Sequence, residues 1–323
     1  MTGLRALCVF VVLAGSLRAQ TGFVRFVAAD DAMGTTFSVV LYGPDRSKLE
    51  TAAKAALDDA HRLDRLLSNY LPTSELSRVN REAGREPVSV STELFHFLST
   101  SLRYSRESEG AFDMTVGPLM KVWGFYKGEG VLPKPVEVAG AMTRVGYRHV
   151  TLDDATRTVR FAASGVEIDP GGIGKGYAVD AMAAVLRQHG VHSALISAGG
   201  SSIYGVGAPP DEPRGWKVPI RAADGSSRTA AEVYLKDMSI STSGGYEKFF
   251  RAGGLIYSHI MDPRTGYPSN AAVAVSVIAP KTVDGEVWAK PYYINGRVWT
   301  QQHLEPGFRV FFCSFSNCIW IEP

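Results

Sequence analysis

Val166-Glu167-Ile168-Asp169-Pro170-Gly171-Gly172-Ile173-Gly174-Lys175-Gly176 is the stretch on which the reading of this chain turns. A short apolar run leads to one carboxylate, four glycines and a lysine that opens an amphipathic segment. Glycine lets backbone N–H groups approach a ligand closely, and the positive end of the following helix favours phosphate, so the pattern describes an anion-binding loop. Two familiar phosphate loops do not fit it. A P-loop needs a hydroxyl after its lysine, and Lys175 is followed by Gly176. A Rossmann turn needs glycines at relative places one, three and six; counted from Gly172, the last of these falls on Tyr177. The competing reading is a strand-to-helix turn whose glycines serve close packing.

Working outward, the N-terminus reads as a secretory signal peptide over residues 1–19. It has Arg5, an apolar run from Ala6 to Leu17, and Ala19 before Gln20. The run of about 12 residues is short of the roughly 20 that a bilayer span requires. Leu13-Ala14-Gly15-Ser16 carries serine where a lipoprotein would carry cysteine, so no lipid anchor is expected. Residues 20–323 are expected to form a single exported, periplasmic domain without a membrane span, long enough for a full hydrophobic core. With 34 basic and 32 acidic residues the net charge is +2, and no basic stripe interleaves with aromatics, which argues against a nucleic-acid partner. Cys8 falls in the leader; Cys313 and Cys318 flank a four-residue turn and suit a hairpin disulfide.

Alternation from Val24 to Tyr42 predicts strands around Met33-Gly34, and Leu49, Ala53, Ala56, Leu57, Ala60, Leu63 and Leu67 recur at helical spacing. His61 on that helix is read as a solvated side chain. Helices are predicted from Ser74, over Thr92–Glu109 and over Tyr177–His189, with a strand at Ser193–Ala198 and later strands flanking Ser241–Gly244 and Ser258–Gly266. Residues 110–126 form an aromatic and glycine-rich segment around Asp113, which as a plain structural feature would be a helix N-cap. Residues 127–165 look like a polar connection with a short hairpin, and residues 297–323 like a terminal hairpin. The mixture lacks regular alternation, so the fold class is α+β.

Five segments then stand in register: Met33-Gly34-Thr35, Ser68-Asn69-Tyr70 with Ser74 to Asn80, Phe112 to Leu119, the Asp169 loop, and Thr242 to Gly266. In this order the chain resembles the ApbE-type FAD:protein FMN transferases from about residue 30 to 280. The resemblance implies a two-lobed, T-fold-like arrangement of mixed sheets with packed helices. It also implies an enzyme that binds FAD and moves FMN onto a threonine or serine of an acceptor flavoprotein, a membrane-associated redox protein. By motif position its FAD contacts fall on Met33, Tyr70, Ala111, Phe112, Asp113, Asp169, Lys175 and Met261. His259 is the candidate catalytic base, since a hydroxyl nucleophile needs one.

The resemblance also implies Mg²⁺, held by a glycine-loop carbonyl, here that of Gly172, and by an Asp-x-x-x-Thr segment before an apolar helix ending in glycine. Aligned on Gly296, the aspartate position holds Glu286 and the threonine position holds Lys290. Glutamate can ligate magnesium, whereas a charged ammonium has no lone pair to give. Three readings follow: Lys290 stands in for the cation, Asp284 takes over a ligand role, or Glu286 and Lys290 form an ordinary i, i+4 pair. Hydrolysis of FAD to FMN and AMP, and non-catalytic periplasmic FAD binding, are the rival activities.

Overall fold

The computed structural model describes residues 22–323 except 224, 225, 227 and 316, and Lys127 without its side chain. The expected leader lies outside the described residues. Val24 to Tyr42 forms two antiparallel strands, β1 (Val24–Ala32) and β2 (Thr35–Gly43), joined by Met33 and Gly34. Both turn residues have positive φ, 51° and 70°, as a two-residue hairpin turn matching the twist of its strands demands. Six more strands extend the sheet: β3 (Ala194–Ala198), β4 (Ser202–Val206), β5 (Met238–Gly244), β6 (Ala274–Ala279), β7 (Arg309–Cys313) and β8 (Cys318–Ile321). Each lies beside its predecessor and antiparallel to it, so the sheet is one meander into which everything else is inserted.

Alternation sends β2 residues to two different layers. Phe37, Val39 and Leu41 pack beneath α1 (Arg46–Leu67) and α6 (Gly174–Gln188), whereas Val40 and Tyr42 face a hairpin of Trp216–Arg221 and Thr229–Leu235 on the other side. The helix-period leucines and alanines of α1 are the buried ones, and each fully buried leucine such as Leu63 contributes about 1.5–3 kcal/mol. The 21-residue α7 (Thr282–Gln302) covers β6 and β7 through Trp288, Tyr292 and Tyr293. Gly296, at φ 80°, breaks it where the apolar helix was expected to end.

A second body of packing is inserted between β2 and β3. Here α2 (Glu75–Glu82) starts at the Ser74 cap, and α3 (Thr92–Glu107) packs with it on a small three-stranded sheet. Two expectations need correction. Residues 127–165 contain a helix, α5 (Pro135–Met142), after the short α4 (Gly117–Val122); α5 buries only Val138 and Ala141, too few to show a period. The helix expected from Tyr177 begins at Gly174, so Lys175 and Gly176 sit in its first turn. Glycine disfavours helix by about 1 kcal/mol, and only packing explains the early start: a Cβ on Gly176 would stand 2.7 Å from Thr282 O on α7.

The segment that leads into the glycine loop, residues 164–169, is not a strand. The side-chain amide of Asn80 instead supplies strand-like pairing to Ile168, donating to its carbonyl at 2.9 Å and accepting from its N–H at 2.8 Å. Ser241–Gly244 lie inside β5 rather than between strands. Cys313 and Cys318 oppose each other across β7 and β8 and are disulfide-bonded. His61 is not simply solvated, because its Nε2 lies 2.9 Å from the Asp30 carboxylate.

Candidate active site

A cavity of about 360 Å³ opens beside the start of α6, within the range of small-molecule sites. Met33, Tyr70, Ala111, Phe112, Asp113, Asp169, Gly172, Lys175, His259, Met261 and Glu286 all line it, so the residues singled out from the sequence converge although they span more than 250 positions. Ser202, Lys248, Met120, Phe125 and Lys290 line it as well. Ser202 Oγ is buried there without a hydrogen-bond partner among the described residues, and nothing local in the sequence marks it.

The glycine loop is partly occupied by the protein's own anions. Asp169 Oδ1 accepts from Gly171 N at 2.7 Å, and Glu286 Oε2 accepts from Gly176 N, so Glu286 caps the α6 N-terminus. Glu286 Oε1 lies 3.2 Å from Lys175 Nζ, a contact that is an ion pair rather than an aligned hydrogen bond. Burial pushes the Asp169 carboxyl up, opposed by the Gly171 N–H. Phe112 closes one side of the loop: a Cβ on Gly172 would stand 3.1 Å from its ring.

Lys290 donates from Nζ to Gly172 O at 3.0 Å and to Glu286 O at 2.7 Å. Burial, opposed by Glu286 and aided by the nearby Lys175, lowers its ammonium to about 8, so Lys290 is still mainly charged at neutral pH. Both expected metal ligands are engaged within the chain. The Gly172 carbonyl accepts from an ammonium, and the Glu286 carboxylate faces a helix start and Lys175. With both expected donors already engaged by ammonium groups, this donor set does not fit Mg²⁺, and among the described residues no group of three or more His, Cys, Asp or Glu side chains is placed to hold a metal ion. Asp284 accepts from Tyr104 Oη and does not line the cavity, which removes it as a substitute ligand. Nor is Glu286–Lys290 an ordinary i, i+4 pair, since the lysine bonds the glutamate's backbone while the buried Glu286 carboxylate turns to Gly176 N and Lys175.

Asp113 is not a helix N-cap. Its Oδ1 accepts from Thr115 N at 2.8 Å and Thr115 Oγ1 at 2.6 Å, and its Oδ2 from Tyr147 N at 2.6 Å. The carboxylate therefore braces the turn under the cavity. Tyr70 is 63% exposed and stacks on Tyr126 with ring centroids 4.3 Å apart, and the buried Met261 adds polarizable surface.

His259 has its Nδ1 3.1 Å from Lys248 O. A carbonyl only accepts, so Nδ1 carries the proton and Nε2 keeps its lone pair. Burial lowers the imidazole to about 4, and the cationic Lys248, Lys290 and Lys175 act in the same direction, so the ring is neutral at physiological pH. Arg264 and Asp262 are joined at 2.9 Å and shape the next turn, with Arg264 also donating to Asn295 Oδ1 at 2.7 Å.

A neutral histidine, two lysines at a glycine-rich helix start, and aromatic and thioether surface in one cleft define the class: an α+β protein with a site built for an aromatic phosphate ester. The ApbE family profile matches residues 33–312, and the chain belongs to the ApbE family. It is 32% identical over 301 residues to the FAD:protein FMN transferase of Treponema pallidum, covering 87% of this chain and 82% of that protein. It is 30% identical over 266 residues to the FAD:protein FMN transferase of Escherichia coli K12, covering 79% and 74%. Among solved structures, the ApbE protein of Thermotoga maritima superposes with a TM-score of 0.81 at 27% identity, covering 90% of this chain and 94% of that one. The flavin transferase ApbE of Vibrio cholerae superposes with a TM-score of 0.77 at 28% identity, covering 90% and 93%.

Proposed function

We propose that this protein is an FAD:protein FMN transferase, moving FMN from FAD onto a threonine or serine hydroxyl of an acceptor flavoprotein with release of AMP. The observation that carries the reading is His259: a neutral imidazole with a free Nε2, in the same cavity as the glycine loop and Lys175. Its Nε2 takes the acceptor's hydroxyl proton as the oxygen attacks the phosphorus on the FMN side. The bond from that phosphorus to the bridging oxygen breaks, its electron pair leaves with AMP, and Lys175 offsets charge on the diphosphate. A positioned base contributes about 10² to 10⁴ in rate, and the cationic wall stabilises charge that builds on the bridge.

The flavin ring rests against Tyr70, Phe112, Met33 and Met261 in this reading, with Ala111 and the braced Asp113 turn forming the floor and Asp169 accepting from a cofactor N–H or hydroxyl. The leader pattern over residues 1–19 supports export to the periplasm, with residues 20–323 acting as one unit and a membrane-associated redox protein as acceptor. No described helix is long and apolar enough to cross a membrane.

Incubation with FAD and a threonine-bearing acceptor domain tests the proposal. Covalently yellow acceptor plus AMP is the expected result. Free FMN in place of labelled acceptor would indicate a pyrophosphatase, and unchanged bound FAD a carrier.

A further inference from the structure

Divalent cations usually offset the charge of a diphosphate under attack. In this cavity the corresponding position is filled from within the chain. Lys290 Nζ lies between two backbone carbonyls, Gly172 O at 3.0 Å and Glu286 O at 2.7 Å, one from the glycine loop and one from α7. A metal ion at that carbonyl would sit against the ammonium and be repelled by it. The nearby Glu286 carboxylate is turned to Gly176 N and Lys175. An ammonium has three N–H donors, so two on carbonyls leave one for a ligand oxygen in the cavity that Lys290 lines.

We propose that Lys290 is the resident cation of this site and that the chain binds FAD and transfers FMN without a divalent metal. The proposal rests on the transferase reading above and specifies how its diphosphate is held. Glu286 then serves as an anchor for Lys175 and the first turn of α6, so that two ammonium groups, Lys175 and Lys290, flank the diphosphate with one carboxylate between them. The third N–H of Lys290 is left for the substrate. Covalent bookkeeping is unchanged: the acceptor proton passes to His259, the new P–O bond forms to the acceptor oxygen, and AMP departs with the electron pair of the broken bond.

The test compares purified protein in excess EDTA with protein in Mg²⁺ buffer, reading FAD binding by calorimetry, FMN transfer by covalent flavin fluorescence, and Mn²⁺ binding by electron paramagnetic resonance in the presence of FAD. The expected result is equal binding and equal transfer in both buffers, with the Mn²⁺ signal remaining that of the free ion. Lys290→Thr should lose transfer by about 10² in EDTA, as removal of one charge-stabilising donor does, and recover part of it with Mg²⁺. Lys290→Arg, which keeps the charge, should retain FAD binding. Tight FAD binding with transfer abolished by EDTA, or stoichiometric Mn²⁺ uptake by the unaltered chain, would overturn the lysine proposal while leaving the transferase reading in place. No FAD uptake in either buffer would remove both.

Discussion

Where α6 meets α7, the wall that brings Lys175, Glu286 and Lys290 to the cavity is held by polar groups joined across 102 to 118 residues of chain, some of them behind the lining: Asp180 to the Thr282 and Val283 amides at 2.8 and 3.0 Å, Glu286 to Gly176, and Lys290 to Gly172. The wall carrying His259 is held by local pairing instead. Phe249–Ala252 pairs with Leu255–Ser258, Leu255 is 62% exposed, and the histidine is fixed mainly through Lys248. Buried charge is tolerable only when its partners are already in place, so the first wall has to be finished before a ligand arrives. The second leaves apolar side chains such as Leu255 and Ile256 uncovered. One wall is therefore preset by long-range polar contacts, and the other rests on local pairing.

The division predicts separable losses. Breaking the histidine wall has the largest effect: His259→Ala should lower transfer by about 10² to 10⁴ while FAD affinity and unfolding midpoint stay near those of the parent. A parallel loss of FAD affinity in calorimetry would mean that the two walls are not independent. Acidity probes the same wall. Because the folded imidazole sits near 4 and the unfolded one near 6.5, the unfolded chain binds more protons between those values. Stability should fall as pH drops from 6.5 towards 4, by about 3 kcal/mol in all, and transfer should stay level through pH 6.5 and fail only near 4. A rate profile bending at 6.5 would contradict this.

The α6–α7 wall should respond in stability first. Gly176→Ala places a Cβ 2.7 Å from Thr282 O and 2.9 Å from Glu286 Oε2, and overpacking of this kind costs about 2 kcal/mol, read as a lower urea midpoint. An unchanged midpoint would show the wall to be looser than its contacts imply. Tyr70→Ala should have the smallest effect. Being exposed and stacked only on Tyr126, the ring should give up about 1 kcal/mol of flavin binding, near fivefold in affinity, with almost no change in folding stability.

What the sequence revealed divides along similar lines. Patterns that act over a few residues were legible: the Met33-Gly34 turn, the Ser74 cap, the period of α1, and two cysteines spaced for a hairpin. The site was legible as a set of members, because each stretch carries its own signature, and the members do meet in one cavity. Their pairings were not. That Glu286 would cap α6, that Lys290 would seat on Gly172 O, that Asp284 would turn to Tyr104, and that Asp113 would be consumed by Thr115 and Tyr147 are all decided by distant segments arriving together. The start of α6 was misplaced for the same reason, since local propensity argues against glycines in a helix and only α7 overrides it. The meander order was hidden because four of the seven connections between neighbouring strands are far longer than the strands themselves.

The open meander has two free borders, and each is shielded from recruiting another molecule. On one side the terminal strand β8 has only four residues and is stapled to its neighbour by the Cys313–Cys318 bond, so there is little main chain to template a stranger. On the other, β1 carries Arg25, Asp30 and Asp31, whose charges discourage end-to-end zippering of copies. A protein with apolar side chains such as Leu255 exposed can thus remain dispersed, because the places where fibrils would nucleate have been made short or charged.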